Sequence, residues 1–301
     1  MAAKPRVILI AGPTASGKSA LALDVAERRG GIIVNADSMQ VYRDLRILTS
    51  RPSPDDERRT PHLLYGHVDA ADPYSVGRFL TEAGRVLTEN DNKTIIFVGG
   101  TGLYLNALTK GLSTAPPVPD TIRSHWREQG RNLTAEALHA ELQVRDPTMA
   151  AKLRPSDPQR IIRALEVIDA TGISLADWQQ SRNAPVVGPD AVRVVLRPER
   201  ADLRALIARR LHRMIEEGAL EEVSRLAERK LDSALPALRA IGVPPLLAHL
   251  RGESSLVTAV DQAITETGQY AKRQETWFRN QLGDWAHISP ERGALRAAIP
   301  D

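Results

Sequence analysis

The stretch Val7-Ile8-Leu9-Ile10-Ala11-Gly12-Pro13-Thr14-Ala15-Ser16-Gly17-Lys18-Ser19 decides the architecture of this chain. Val7 to Ala11 is an unbroken aliphatic run, the pattern of a strand buried on both faces of a parallel sheet. The next eight residues have the spacing Gly-x4-Gly-Lys-Ser, and Ser19 to Arg29 then repeats Leu21, Ala22, Val25 and Ala26 at helical spacing. Strand, glycine loop and helix in that order make a P-loop, whose backbone N–H groups turn inward around phosphate oxygens. Gly12, Pro13, Thr14, Ala15, Ser16, Gly17, Lys18 and Ser19 are therefore expected to hold a di- or triphosphate, with Lys18 adding a point charge and the Ser19 hydroxyl placed to ligate Mg²⁺. Four fixed positions arise by chance in a chain of this length only on the order of once in a hundred. The loop does not say what the phosphates are attached to.

Beyond the loop, continuous apolar runs alternate with helical patterns. Ile32 to Ala36 and Thr94 to Val98 read as buried strands, His62 to Val68 as a third, and Val76 to Leu87 as a helix. This alternation predicts an α/β fold with a parallel sheet and helices on both faces. Thr49 to Pro61 reads as a polar loop. Two breaker clusters, Ala115 to Pro119 and Asn183 to Pro189, bracket a polar, helical stretch over 120–182. They predict a core of residues 1–115 and 190–301 with a helical subdomain inserted over 116–189. Val192 to Leu196 returns to strand, and the chain stays helical to about residue 283.

The composition excludes several classes. The 301 residues contain no cysteine, so a disulfide, a thiol nucleophile and a zinc–thiolate site are ruled out. The Met1 to Arg6 segment leads into an apolar run too short for a secretion signal or a membrane span, so a soluble cytoplasmic protein is expected. A net charge of +3, from 40 basic and 37 acidic residues, does not by itself indicate nucleic-acid binding. Aromatic residues make up only 4%, which argues against a base-stacking platform.

A nucleotide hydrolase would end a second buried strand in a carboxylate that holds Mg²⁺. The Thr94–Val98 strand ends instead in Gly99-Gly100-Thr101, and the available acid is Asp37, after the Ile32 strand. Ligands of parallel sheets bind outside the carboxyl ends of the strands, which would bring Asp37, Thr101 and the loop to one rim. From spacing alone, Asp37 reads equally as a catalytic carboxylate or as a helix N-cap.

Asn35-Ala36-Asp37-Ser38-Met39-Gln40-Val41-Tyr42, together with Gly-Pro-Thr-Ala-Ser-Gly-Lys-Ser, resembles the tRNA dimethylallyltransferase (isopentenyltransferase) family. Val98 to Tyr104, Asp157 to Glu166, and Tyr270-Ala271-Lys272-Arg273-Gln274 with Trp277-Phe278-Arg279 extend the resemblance over essentially the whole chain. The resemblance implies a P-loop NTPase-like core with a helical insertion that binds tRNA and a helical C-terminal region. It implies transfer of a dimethylallyl group from dimethylallyl pyrophosphate to the exocyclic amine of the adenosine 3′ of the anticodon, with Mg²⁺ as cofactor and the tRNA anticodon loop as partner, by a protein expected to be monomeric. Lys18, Asp37 and Thr101 match catalytic positions, Asp37 as general base and Thr101 at the target nucleotide. Ser38, Met39 and Gln40 match the segment beside the flipped base. Arg123, Gln159, Arg160, Ile161, Ile162, Arg163, Lys272 and Arg273 match tRNA-contacting stretches. Without the resemblance, Arg160 and Arg163 read as a solvated helix face, as do Arg209, Arg210, Arg213, Lys272, Arg273 and Arg279, which recur at helical spacing and could alternatively track phosphates, and Trp277 and Phe278 read as packing. Leu48-Thr49-Ser50-Arg51-Pro52, Val243 and Gly268 depart from the family pattern, and lower tRNA affinity or a different tRNA preference is expected from them.

Three competing functions use the same loop. A small-molecule or nucleotide kinase would employ Asp37 on a hydroxyl, but its lid would be smaller than this helical C-terminal half. A transferase acting on free adenine nucleotides would have no use for the helical insertion. A nucleotide-gated binding module needs a Mg²⁺-linked carboxylate and a γ-phosphate sensor, and the sequence offers no such pair.

Overall fold

The computed structural model describes residues 6–289 and Ile299. Met1 to Pro5, read above as part of the approach to the first strand, lie outside the described residues, as do 290–298, 300 and 301 within the expected C-terminal core. Two compact units are resolved, one of 1–109 with 186–301 and one of 110–185.

In the larger unit, β1 (Val7–Ala11), β2 (Ile32–Asn35), β3 (His62–Leu63), β4 (Ile95–Gly99), β5 (Val192–Leu196) and β6 (Ala286–Ile288) form one sheet in the order β3-β2-β4-β1-β5-β6, with every pairing parallel. Its helices are α1 (Lys18–Arg29), α2 (Pro54–Arg59), α3 (Val76–Glu89) and α4 (Gly102–Lys110). The smaller unit holds α5 (Asp120–Asn132), α6 (Ala135–Arg145), α7 (Pro147–Ala150), α8 (Pro158–Thr171) and α9 (Leu175–Trp178). After β5, the larger unit resumes with α10 (Arg200–Glu216), α11 (Ala219–Glu228), a 3₁₀ turn at Pro236–Arg239, α12 (Val243–Leu250) and α13 (Leu256–Gln281).

The period-2 geometry of the strands sends alternate side chains to opposite faces. Ile8, Ile10, Ile33, Ile96 and Val98 pack with Leu21, Val25 and Ala26 of α1. Leu9, Ala11, Val34, Ile95 and Phe97 pack with Phe79 and Val86 of α3, Leu105 and Leu108 of α4, and Phe278 near the end of α13. Both faces are thereby covered, which is why the strands read as continuous apolar runs. A third cluster joins Tyr42 and Leu45 to the C-terminal helices through Leu211, Val223, Leu246 and Ala263. The smaller unit has its own core around Trp126, Leu142, Ile161 and Leu165.

Two local expectations are corrected, and one strand was not anticipated. The segment from His62 to Val68 is not one strand: only His62 and Leu63 pair with β2, because Leu64 (φ 62°) and Gly66 (φ 54°) turn the chain, which then bonds to the Gln40–Tyr42 segment from Gly66 and Val68. The polar loop after Thr49 contains α2, started by a capping box in which Ser53 and Asp56 exchange side-chain and backbone hydrogen bonds. The short β6, half-exposed and reached by a turn after α13, gave no strand signal.

One long-range contact fixes the loop between Tyr42 and α2. The buried carboxylate of Glu222 in α11 accepts from three consecutive amides, Arg46 N at 2.7 Å, Ile47 N at 2.8 Å and Leu48 N at 3.0 Å. Charge-assisted bonds of this type are worth roughly 1.5–3 kcal/mol each, and an amide donor left facing another donor forfeits that. Glu222→Gln, which turns an NH₂ group towards these amides, is expected to lower the unfolding free energy by about 2 kcal/mol. Equilibrium urea denaturation with an unchanged m-value checks this.

Candidate active site

The loop after β1 is shaped for an anion. Ala15 (φ 60°) and Gly17 (φ 83°) lie in the left-handed region, and α1 begins at Lys18 with no side-chain cap and no acidic residue in its first turn. The first amides of a helix have no intrahelical acceptor and sit at the positive end of its dipole, so an anionic ligand completes them. The Lys18 ammonium donates to the Pro13 carbonyl at 3.2 Å. Burial pushes its pKa down to about 8; Asp37 pulls the other way and Arg210 adds to the lowering. The Ser16 hydroxyl and Arg210 Nε are buried without a hydrogen-bond partner. An unsatisfied buried polar group costs about 1–3 kcal/mol, which marks this floor as one that a polar ligand completes.

Across from the loop, Asn35 at the end of β2 shapes the Asp37 turn. Its side chain accepts from Asp37 N at 2.8 Å and donates to the carbonyls of Asp37 (2.9 Å) and Leu64 (3.0 Å). Asp37 Oδ1 accepts from Met39 N at 2.9 Å, and the residues that follow form turns, so Asp37 is not a helix N-cap. Thr101, just before α4, accepts from Ser38 N at 2.9 Å and donates to Ser38 Oγ at 3.2 Å. The structure thus brings Asp37, Ser38 and Thr101 together at the ends of β2 and β4, as expected for one rim.

A cavity of about 370 Å³ lies between loop and rim, lined by Thr14, Lys18, Ser19, Asp37, Arg210 and Gln274. Met39, Leu48, Leu211 and Met214 add apolar surface. Gln40 also lines it, and its Nε2 donates to the carbonyls of Thr49 (2.7 Å) and Ser50 (3.1 Å), tying down the wall that Glu222 anchors from outside. Arg210 is not on a solvated face: its guanidinium donates to Thr14 Oγ1 at 2.9 Å, and burial lowers its pKa against the pull of Asp37. Arg209 and Arg213, its neighbours on α10, are exposed. Tyr270 lines the cavity near Thr101 and Gln274, and burial together with Asp37 pushes its pKa up. Among the described residues no cluster of three or more His, Cys, Asp or Glu side chains could cage a metal alone. The Ser19 hydroxyl and the Asp37 carboxylate are hard oxygen donors, the type suited to Mg²⁺ that shares its coordination with phosphate oxygens and water.

The remaining expected contacts are distributed over two units. On α13, Lys272 and Arg273 are exposed, with Arg273 over the Tyr270 ring at 5.8 Å; Phe278 is buried and Trp277 packs against the same core, as packing residues do. In the helical unit, Gln159 and Arg160 are exposed in the first turn of α8, Arg163 pairs with the buried Glu166 at 3.2 Å, and Arg123 of α5 pairs with Asp120 at 2.9 Å. Ile162 is half-buried. Ile161 departs from the expectation of a surface contact: its side chain is fully buried in the core of that unit, because it falls on the inner stripe of α8. Arg51 points inward, donating to the carbonyls of Tyr42 and Arg43 at 3.3 and 3.2 Å. Val243 is fully buried, while Gly268 lines a separate groove between α10 and α13.

Sequence reasoning missed the site roles of Arg210, Tyr270 and Gln274. Tyr270 and Gln274 stood in a matched motif, and a signal for Arg210 was its place on a helix between Ile207 and Leu211, both buried.

A family model described as IPP transferase matches residues 40–281, and one described as isopentenyl transferase matches residues 5–71. The chain is 55% identical to the tRNA dimethylallyltransferase of Nitrobacter hamburgensis over 97% of this chain and 94% of that protein. It is 53% identical to the enzyme of the same name from Methylobacterium radiotolerans over 96% and 94%. Among solved structures, the tRNA isopentenylpyrophosphate transferase of Bacillus halodurans superposes with a TM-score of 0.67 at 32% identity, over 95% of this chain and 90% of that one. A eukaryotic dimethylallyltransferase captured acting on tRNA superposes with a TM-score of 0.80 at 27% identity, over 99% and 77%. With a model match spanning most of its length and relatives more than half identical from end to end, this chain belongs to the IPP transferase family of tRNA dimethylallyltransferases.

Proposed function

We propose that this protein transfers the dimethylallyl group of dimethylallyl pyrophosphate to the exocyclic amine of the adenosine 3′ of a tRNA anticodon, in the cytoplasm. The observation that carries the reading is the cavity that joins the phosphate loop to Asp37, the one carboxylate among the described residues that line it. A kinase reading has no comparable support from the relatives.

In this reading the adenine nitrogen attacks C1 of the dimethylallyl group, the C1–O bond breaks, and its electron pair leaves with pyrophosphate. The loop amides, Lys18 and Arg210 hold the negative charge that grows on the leaving oxygen. Mg²⁺, held by Ser19 with Asp37 in reach of the same cavity, would supply further charge neutralisation when bound. Asp37 takes the proton that the amine sheds as its bond to carbon forms. Thr101, fixed by Ser38, orients the target nucleotide. Reaching this rim requires the base to leave the anticodon-loop stack, at a few kcal/mol, which a single-stranded loop keeps low. Met39, Leu48, Leu211 and Met214 offer the five-carbon tail apolar contact, worth about 0.8 kcal/mol per buried CH₂, so the pyrophosphate dominates donor affinity. Gln159, Arg160 and Arg163 of the helical unit, Arg123, and Lys272 and Arg273 of α13 are proposed to contact tRNA phosphates.

Incubation with Mg²⁺, dimethylallyl pyrophosphate and unmodified tRNA, followed by nuclease digestion and mass analysis, is expected to yield prenylated adenosine. ATP turnover without prenylation would overturn the reading in favour of a kinase. Asp37→Asn keeps the acceptor for Met39 N and removes the base, so transfer is expected to fall about 10²- to 10⁴-fold while tRNA binding persists.

The pH dependence of pyrophosphate binding follows from Lys18. Its free-protein pKa is about 8. A bound pyrophosphate favours the protonated form and raises that pKa, so the lysine's contribution is complete below pH 8 and is lost as pH rises above it. Titration calorimetry is expected to show the affinity advantage of wild type over Lys18→Met shrinking up to tenfold per pH unit above 8. An advantage constant from pH 7 to 10 would exclude this role for the lysine.

A further inference from the structure

The mechanism above gives no role to Gln274, a buried polar side chain on the cavity wall. Gln274 lies in α13 and is 6% exposed. Its Oε1 accepts from Thr14 N at 3.0 Å, and its Nε2 donates to the Gly100 carbonyl at 2.8 Å. One primary amide therefore joins the phosphate loop to the turn that presents Thr101. The approach is close enough that a Cβ at Gly100 would overlap the Gln274 amide nitrogen. Thr14 is held at two points, by Gln274 at the amide and by Arg210 at the hydroxyl.

The backbone that launches this side chain has little freedom. One turn before Gln274, Ala271 is buried among the C-terminal helices, and one turn after it Phe278 is buried against the sheet. The strands beneath do not do the same job. β1 and β4 are neighbours in the sheet, but the phosphate loop and the Gly100–Thr101 turn begin where strand pairing ends, at Ala11 and Gly99. Beyond that line, the amide of Gln274 is a direct bridge between them.

We propose that Gln274 is a positioning residue that sets the separation between the donor's diphosphate and the acceptor nucleotide. The inference rests on the assignment of donor and acceptor in the preceding section. Group transfer needs the reacting atoms about 3–3.5 Å apart and aligned, and a displacement of about 1 Å can cost a hundredfold in rate. A glutamine suits the task because it accepts at one end and donates at the other. A carboxylate only accepts, and a hydrocarbon does neither. Gln274 touches neither the leaving group nor the nucleophile in this role, so its loss affects the step in which the two meet and spares the binding of each alone.

The test uses the full chain with tRNA and dimethylallyl pyrophosphate. For Gln274→Met and Gln274→Glu, single-turnover transfer at saturating substrates is compared with the dissociation constants of pyrophosphate and tRNA measured separately. The expected result is a fall of ten- to a hundredfold in the saturating transfer rate for both variants, with both dissociation constants within threefold of wild type. If the methionine variant does not fold, the glutamate variant, which keeps the acceptor for Thr14 N, decides the matter. A saturating rate within threefold of wild type overturns the proposal. So does a loss confined to pyrophosphate affinity, which would make Gln274 part of the cradle, or a parallel weakening of both affinities, which would make it a packing residue. Wild-type protein that transfers no prenyl group, or Asp37→Asn at full rate, would sink the underlying reading instead; inactive Asp37→Asn beside fully active Gln274 variants sinks this inference alone.

Discussion

The site depends on how closely the ends of β2 and β4 approach each other. The Ala36 amide donates to the Val98 carbonyl at 2.8 Å, the Thr101 amide donates back to the Ala36 carbonyl at 3.4 Å, and a side chain at Gly99 would overlap that same carbonyl. Only glycine at position 99 lets the two strand ends continue in contact past the edge of the sheet. That contact puts Ser38 within reach of the Thr101 hydroxyl, and it sets Asp37 facing the phosphate loop that leaves the neighbouring β1. A bulkier residue at Gly99 would separate the acid from the loop without touching either.

The electrostatics of the cavity follow from that closeness. Two buried cations, Lys18 and Arg210, share the cavity with one anion, Asp37, while Arg239 and Arg273 line it from exposed positions. Burial works against the charged form of both cations and Asp37 works in their favour, so each is sensitive to what enters the site. Burial is what lowers the Lys18 pKa, and an anion entering the site would oppose that lowering as Asp37 does. The first turn of α1 carries no acidic residue to repel such an anion.

The walls of the cavity come from far along the chain. Glu222 grips three amides of the Arg46–Leu48 turn, Gln40 holds the Thr49 and Ser50 carbonyls, and α13 closes the site with Tyr270 and Gln274. Three of the four core clusters meet in this unit. The C-terminal helices are thus structural parts of the site, which accounts for a helical half larger than a phosphotransferase lid requires.

The sequence by itself determined the parts whose signals are local. The P-loop was legible because strand, glycines and helix are contiguous, and the parallel sheet because strands buried on both faces read as unbroken apolar runs. The Asp37–Ser38 segment and Gly99 to Thr101 were legible as strand ends, although Asp37 could be told from a helix cap only once the turn after it was seen. The tertiary structure decided the rest. Arg210 reaches Thr14 across 196 residues, Gln274 reaches it across 260, and Glu222 binds the Leu48 turn across 174. On their own helices these are ordinary polar residues, and periodicity gives a helical face but not what lies opposite it. Ile161 shows the converse, since a residue inside a matched motif proved to face the core. Hydrogen bonds of this kind are made by side chains brought together in folding, so their partners become visible only when the fold is.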